Sequence, residues 1–444
     1  MPLSRAPYCA VAAVLLAYVC GWCAPVQAET RGAQTERLEG LRPDELERIT
    51  PELAHGPVVL VEFADMARDQ LPAINIAVPV RASAETVTRV LTAPAQYPRF
   101  MPMLDTVKVL AKHDTSVVYE WSFDLALLHM RGRNQMTVYA APANKPELGT
   151  RITIDSQDGD LGKGRYLFRV YPRGADSLLV LSLRLDLREA NYVARQVAKA
   201  ARSVARSANI SLGYSMALHT RAEAERLDRA THTKPGDAAQ PAAPTLSLKA
   251  KELRKPDVDM ARIGPLLNRG DLLLFDAADA RDGHGATLDQ VAVVGVVVQP
   301  VERVRSVMRD ANAFGSSLIA GSHATIVSQR AATTVFDWAI DLPLLGVSGQ
   351  MRMLDQGSIL RVDATQGALQ GGQWTFEALP LAQDATLVSG WARFDLAKST
   401  WLLEKLVKAD PFLGQGMTGA AELMLLRAVR ARASRAAQAE APAR

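Results

Sequence analysis

Trp121-Ser122-Phe123-Asp124-Leu125-Ala126-Leu127-Leu128, followed by Gly132 and Met136, returns later in the chain. There it reads Trp338-Ala339-Ile340-Asp341-Leu342-Pro343-Leu344-Leu345, followed by Gly349 and Met353. Every pair is 217 residues apart, and the same offset joins Glu85 to Glu302, Val87 to Val304, Val90 to Val307 and Tyr97 to Phe314. Past an extra loop at 142–146 the offset falls to 208, where Asp155, Gly159, Leu161, Gly164 and Phe168 meet Asp363, Gly367, Leu369, Gly372 and Phe376. Leu212-Gly213 and Met216 then match Leu413-Gly414 and Met417. Three blocks in one order are an internal duplication, which is sought before any single element is assigned. The sequence therefore divides into a first domain over 40–228, a linker over 229–258 rich in Ala, Pro and Lys, and a second domain over 259–435. A tail over 436–444 follows.

Within each copy the period of the apolar residues changes in the same sequence. Strand-like runs open it at 58–63 and 74–80, and again at 272–275 and 291–298. Ser83, Glu85, Val87, Val90 and Leu91 then have the cap, acidic first turn and spacing of an amphipathic helix, which Pro94 and Pro98 end. Tyr119, Trp121 and Phe123 alternate with Glu120, Ser122 and Asp124, a strand with an apolar and a polar face. Further strands fit 135–139, 151–155, 165–170 and 177–187, joined closely enough to predict an antiparallel meander. Met417, Ala420, Ala421, Met424, Leu425 and Ala428 form the apolar stripe of a long closing helix. The expected fold class is α+β, with two tandem two-layer units.

This layout, with Tyr97-Pro98-Arg99-Phe100-Met101-Pro102 after the first helix, resembles the START-like (SRPBCC) superfamily, closest to its polyketide-cyclase and coenzyme Q-binding branch. The resemblance implies a helix-grip fold in each copy, a curved sheet around the long C-terminal helix with an elongated apolar cavity between them. It implies lipid, quinone, isoprenoid, sterol or polyketide ligands, no cofactor, and binding more often than catalysis. The second copy departs at Ala313-Phe314-Gly315-Ser316-Ser317-Leu318, which puts its cavity mouth in question. Independently of the resemblance, an apolar cavity needs aromatic and flexible apolar walls, for which Trp121, Phe123, Met136, Phe168 and Tyr214 are the candidates in the first copy. Trp338, Ile340, Met353, Trp374 and Phe376 take this part in the second. The bland alternative is that these side chains fill an ordinary core.

At 444 residues, 48% apolar and 22% charged, the chain is expected to fold as more than one globular unit. Its net charge of +4 gives no support for nucleic-acid binding. Residues 1–28 have the layout of a secretory signal, with Arg5 in a short positive start, an apolar core at 10–19 and Val26-Gln27-Ala28 at the cleavage site. An uncleaved anchor is the alternative. Export to the periplasm is the expectation, and because Cys9, Cys20 and Cys23 all precede the cleavage point, the mature chain would carry no thiol chemistry.

Polar candidates are fewer. Asp124 and Asp341 recur at one position and read either as contacts at the cavity mouth or as solvated strand-end aspartates. Asp155 and Asp363 read as loop-forming residues. His129, beside the first Trp-Asp segment, is the best placed of the seven histidines, which show no metal-ligand spacing. No nucleophile elbow, phosphate loop or dinucleotide fingerprint occurs. Arg195, Lys199, Arg202 and Arg206 fall on one face of the first closing helix, a stripe for an anionic membrane surface or simply a solvated face. The preferred function is binding or transport of a hydrophobic small molecule. The alternatives are a cyclase- or hydrolase-like enzyme using Asp124 or His129, and a partner-binding module with collapsed cavities.

Overall fold

The computed structural model describes residues 38, 40–62, 73–125, 128–186, 190–192, 195, 202–232, 253, 255, 258–278, 288–312, 322–340 and 346–440. The first copy runs α1 (Pro43–Ile49), β1 (Val58–Glu62), β2 (Ala73–Val80) and α2 (Ala84–Leu91). It continues through β3 (Leu104–Lys112), β4 (Ser116–Leu125), β5 (Leu128–Tyr139), β6 (Thr150–Gly159), β7 (Lys163–Arg173) and β8 (Asp176–Asp186) to α3 (Arg202–His232). The second copy repeats this as α4 (Met260–Asn268), β9 (Leu272–Ala278), β10 (Leu288–Val297) and α5 (Val301–Arg309). Then come β11 (Ser322–Arg330), β12 (Thr333–Ile340), β13 (Val347–Asp355), β14 (Ile359–Gly367), β15 (Gln373–Ala382) and β16 (Ala385–Arg393), followed by α6 (Trp401–Ala409) and α7 (Pro411–Glu440). The α+β reading and the meander hold. Ser83 caps α2 as expected, its hydroxyl accepting from Thr86 N.

The strands outrun the apolar patches that announced them, because pairing continues along outward-facing polar positions. Asp155, placed at a strand end, and Asp363, both read as loop-forming, are therefore corrected to paired residues within strands. Asp155 lies opposite Arg165 across β6 and β7, at 2.5 Å, and Asp363 lies opposite Arg352 across β14 and β13, at 2.9 Å. Each carboxylate is held by a cross-strand arginine rather than by a turn.

The two copies share one sixteen-stranded sheet whose order is a palindrome, from β3 at one edge through β8, β2 and β1 to β9, β10, β16 and out to β11. The seam is antiparallel pairing of β1 with β9, Val58 opposite Phe275 and Val61 opposite Leu272. Both faces of the sheet are covered there. One face carries the main core, in which Val59, Val61, Leu272 and Leu274 pack with α3 and α7 residues. The other carries Val58, Leu60 and Leu273 under α1 and α4 through Leu46, Ile49, Ile263 and Leu266. Burial on both sides is why these strands read as unbroken apolar runs rather than alternating ones.

The two long helices touch each other. A Cβ on Gly416 of α7 would stand 2.8 Å from Ser211 Cα and 3.1 Å from Tyr214 Cβ of α3, so the helices approach backbone to backbone at this point. Side chains there have nowhere to move. Gly416→Ala is expected to push the helices apart and lower stability by about 1–3 kcal/mol. An unchanged denaturation midpoint would show that the contact is looser than drawn. From Phe412 to Leu426 nearly every α7 residue is buried, on several sides and not along the single stripe read from the sequence.

Candidate functional site

The duplicated Trp-Gly spacing becomes a duplicated piece of architecture. Trp121 on β4 lies opposite Gly132 on β5, which lies opposite Gly159 on β6. Trp338 on β12 lies opposite Gly349 on β13, which lies opposite Gly367 on β14. The missing side chains let each indole lie across the neighbouring strands. A Cβ on Gly132 would stand 2.7 Å from Trp121 Cζ2, and one on Gly349 would stand 3.2 Å from Trp338 Nε1. Both indole nitrogens are buried and have no hydrogen-bond partner among the described residues. A buried Trp N–H normally finds an acceptor, so each copy presents a flat aromatic plate with one unused donor.

Most of the predicted lining residues lie in the main core, with Tyr214 supplied by α3 and the others by strands. Met136 is 0%, Phe168 1% and Tyr214 1% exposed. In the second copy Met353, Trp374 and Phe376 join Trp338 in the same core, with Ile340 packed against it half-buried. Phe123 belongs instead to a satellite cluster with Met103 and Met130 of the first copy and Leu413 of the second. Trp121 packs against both, and Leu406 and Met417 complete the satellite. The start of α7 and the end of α6 thus close over the first copy's aromatic end.

That closure is held by a polar group the sequence did not single out. Asp410, between α6 and α7, is 1% exposed and lies against α3. Ser215 Oγ donates to it at 2.6 Å, Leu413 N donates at 2.9 Å, and His219 Nε2 stands 3.0 Å away. The His219 ring also meets Phe412 edge-on at 4.8 Å. Burial pushes the Asp410 carboxyl up, but the bonds from His219, Ser215 and Leu413 outweigh it and hold the group below its ordinary value.

Further polar atoms lie unpartnered in the interior. Asn209 and Tyr214 of α3 are each 1% exposed, and neither the Asn209 amide nor the Tyr214 hydroxyl has a partner among the described residues. Glu422 of α7 is also 1% exposed, receives a bond from the Trp374 indole, and leaves Oε2 unpartnered. Burial drives its carboxyl up to about 8. Around Tyr97, whose hydroxyl donates to Leu91 O at 2.5 Å, burial raises the phenol well above its usual value, so it acts as a neutral strut.

Other expected sites fare differently. His129 is exposed on β5, in register with Asp124 on β4. The Asp124 side chain, Asp341 and the Ala313–Leu318 segment lie outside the described residues, as do residues 1–37 with the signal and its cysteines. Of the basic stripe, Arg195 is exposed, while Lys199 and the Arg202 side chain lie outside the described residues. Arg206 corrects the expectation of an exposed stripe. It is 7% exposed, because α3 is buried on more than one side at that turn. Among the described residues no helix is long and apolar enough to cross a membrane, and no three metal-ligating side chains converge. On the opposite face of the sheet lies a groove of about 560 Å³, bordered by Arg42, Arg151 and Arg165. Arg165 pairs there with Asp155, and Arg151 rests on the Tyr139 ring at 4.2 Å.

No protein-family model matches the chain, and no curated protein does. Solved structures it is similar to include aromatase/cyclases and a STAR-related lipid transfer protein. Zhui aromatase/cyclase from Streptomyces sp. R1128 is 20% identical, with a TM-score of 0.30, covering 36% of this chain and 98% of that one. The di-domain ARO/CYC StfQ from the steffimycin biosynthetic pathway is 10% identical over 82% of this chain and 99% of its own, with a TM-score of 0.28. Human STARD10 is 13% identical over 45% of this chain and 89% of its own, with a TM-score of 0.32.

Proposed function

We propose that the protein binds an apolar small molecule between the sheet and the long helices, in a helix-grip arrangement of each copy, and carries it outside the cytoplasm. One observation carries this reading: both copies keep a glycine-floored indole that packs on the hydrophobic core and whose buried N–H has no partner among the described residues. Such a plate stacks a flat or flexible apolar body, and the N–H supplies one directional contact. Burying apolar ligand surface contributes roughly 25 cal/mol per Å², enough to draw a lipid-like molecule out of water. Of the two candidates for an enzyme reading, His129 is exposed and meets Gly346 in the second copy.

Mass spectrometry of organic extracts from protein purified out of its native compartment tests the proposal. A stoichiometric apolar compound is expected from the wild type. Trp121→Ala and Trp338→Ala should each reduce it several-fold, with folding checked by circular dichroism. Full retention in both variants would remove the indole plates from the binding site. Sequencing the N-terminus of the same material tests export, with a start just after Ala28 expected.

A further inference from the structure

The interior of the second copy contains a feature that an apolar filling does not require. Glu422 is the one charged residue between Asp410 and Arg427 in the sequence of α7, and it is 1% exposed. Its carboxyl is reached from the sheet by the Trp374 indole, which stacks on Phe394 with ring centroids 5.0 Å apart. The carboxyl's second oxygen is buried and unpartnered among the described residues. Burying a carboxyl oxygen without a partner is unfavourable where burying a leucine would be favourable, so Oε2 points to an occupant that completes it. The aligned position in the first copy is Arg221, so this feature belongs to one copy only.

We infer that the second copy binds an uncharged amphiphile by its head, Glu422 exchanging hydrogen bonds with a hydroxyl or carbonyl group while the apolar tail lies among the aromatic side chains. The class follows from charge. An acid pushed up to about 8 by burial is mostly protonated at neutral pH, and as COOH it both donates and accepts, which suits an alcohol or ketone. A ligand amine would instead have to bring a positive charge into hydrocarbon. This assignment rests on the binding function proposed above and narrows it to a ligand class.

Three probes of equal chain length separate the outcomes: 1-dodecanol, dodecane and dodecylamine, titrated into the full chain and followed by native mass spectrometry. The wild type should bind the alcohol about tenfold more tightly than the alkane. Glu422→Gln, which keeps a donor and an acceptor, should preserve most of that preference. Glu422→Leu, which replaces an unpaired polar group with a hydrocarbon of similar size and so should fold, should abolish it. Equal preference in the wild type and Glu422→Leu would overturn the inference and leave the binding function standing. Tightest binding of the amine would overturn it by showing a charged carboxylate. Failure of all three probes to bind would overturn both readings together.

Discussion

Asp410→Ala is expected to be the most damaging single substitution in the described chain. The buried carboxylate accepts from Ser215, His219 and Leu413 N at once, and it caps α7. Removing it leaves a hydroxyl, a largely buried imidazole and a backbone N–H without their acceptor. Losing one partner of a buried charged network costs about 3–5 kcal/mol, and losing the cap adds about 1 kcal/mol. The expected readout is a large fall in the denaturant midpoint, with Asp410→Asn falling less because its carbonyl still accepts. The pH dependence has a definite sign. A carboxyl held below its ordinary value contributes stability that is present above that value and lost as pH falls through the lower folded pKa. Wild-type stability should therefore drop on acidification below the usual aspartate range, and Asp410→Ala should lack that component. Parallel curves for the two proteins would mean that the clasp contributes nothing.

The second large effect has the opposite sign. Glu422 titrates near 4.5 in an unfolded chain and at about 8 when folded. Between those values the folded state holds a proton that the unfolded state has released, so stability is full below pH 4.5 and declines as pH rises to about 8. At about 1.4 kcal/mol per pH unit the loss is at most on the order of 5 kcal/mol. Glu422→Gln has no proton to lose. Its stability relative to the wild type should therefore grow from pH 5 to pH 8 and then level off. A constant difference across that range would show that Glu422 ionises normally and is better hydrated than its burial indicates.

The duplication, the change from period 2 to period 3.6, and the inward direction of Trp121, Met136, Phe168, Trp338 and Trp374 were legible because each is a local or repeated pattern. The seam was not, although its trace is present: 58–61 and 272–275 are apolar at every position, where a sheet covered on one side would alternate. The leading helix α4 escaped because it is short and supplies only a few apolar residues to the outer face. Asp410 escaped for a different reason. Its partners Ser215 and His219 are about two hundred positions away in sequence, and no spacing rule reaches that far. Glu422 could have been found as the lone charge in an apolar helix. An apolar stripe drawn from its best-matching positions passes over the residue beside it.

The β1–β9 seam also bears on how such a chain could have arisen. Equivalent strands meet antiparallel, an arrangement that a two-fold axis generates by itself. A single ancestral copy would have ended in an open β1 edge whose natural complement was the same edge on another molecule. Gene duplication turns such a symmetric homodimer into one chain and fixes the partner's effective concentration through the tether. Once the halves are joined, each is free to diverge without losing the other. Glu422 where the first copy has Arg221, and Asp410 where it has Asn209, are differences that two identical chains would not show.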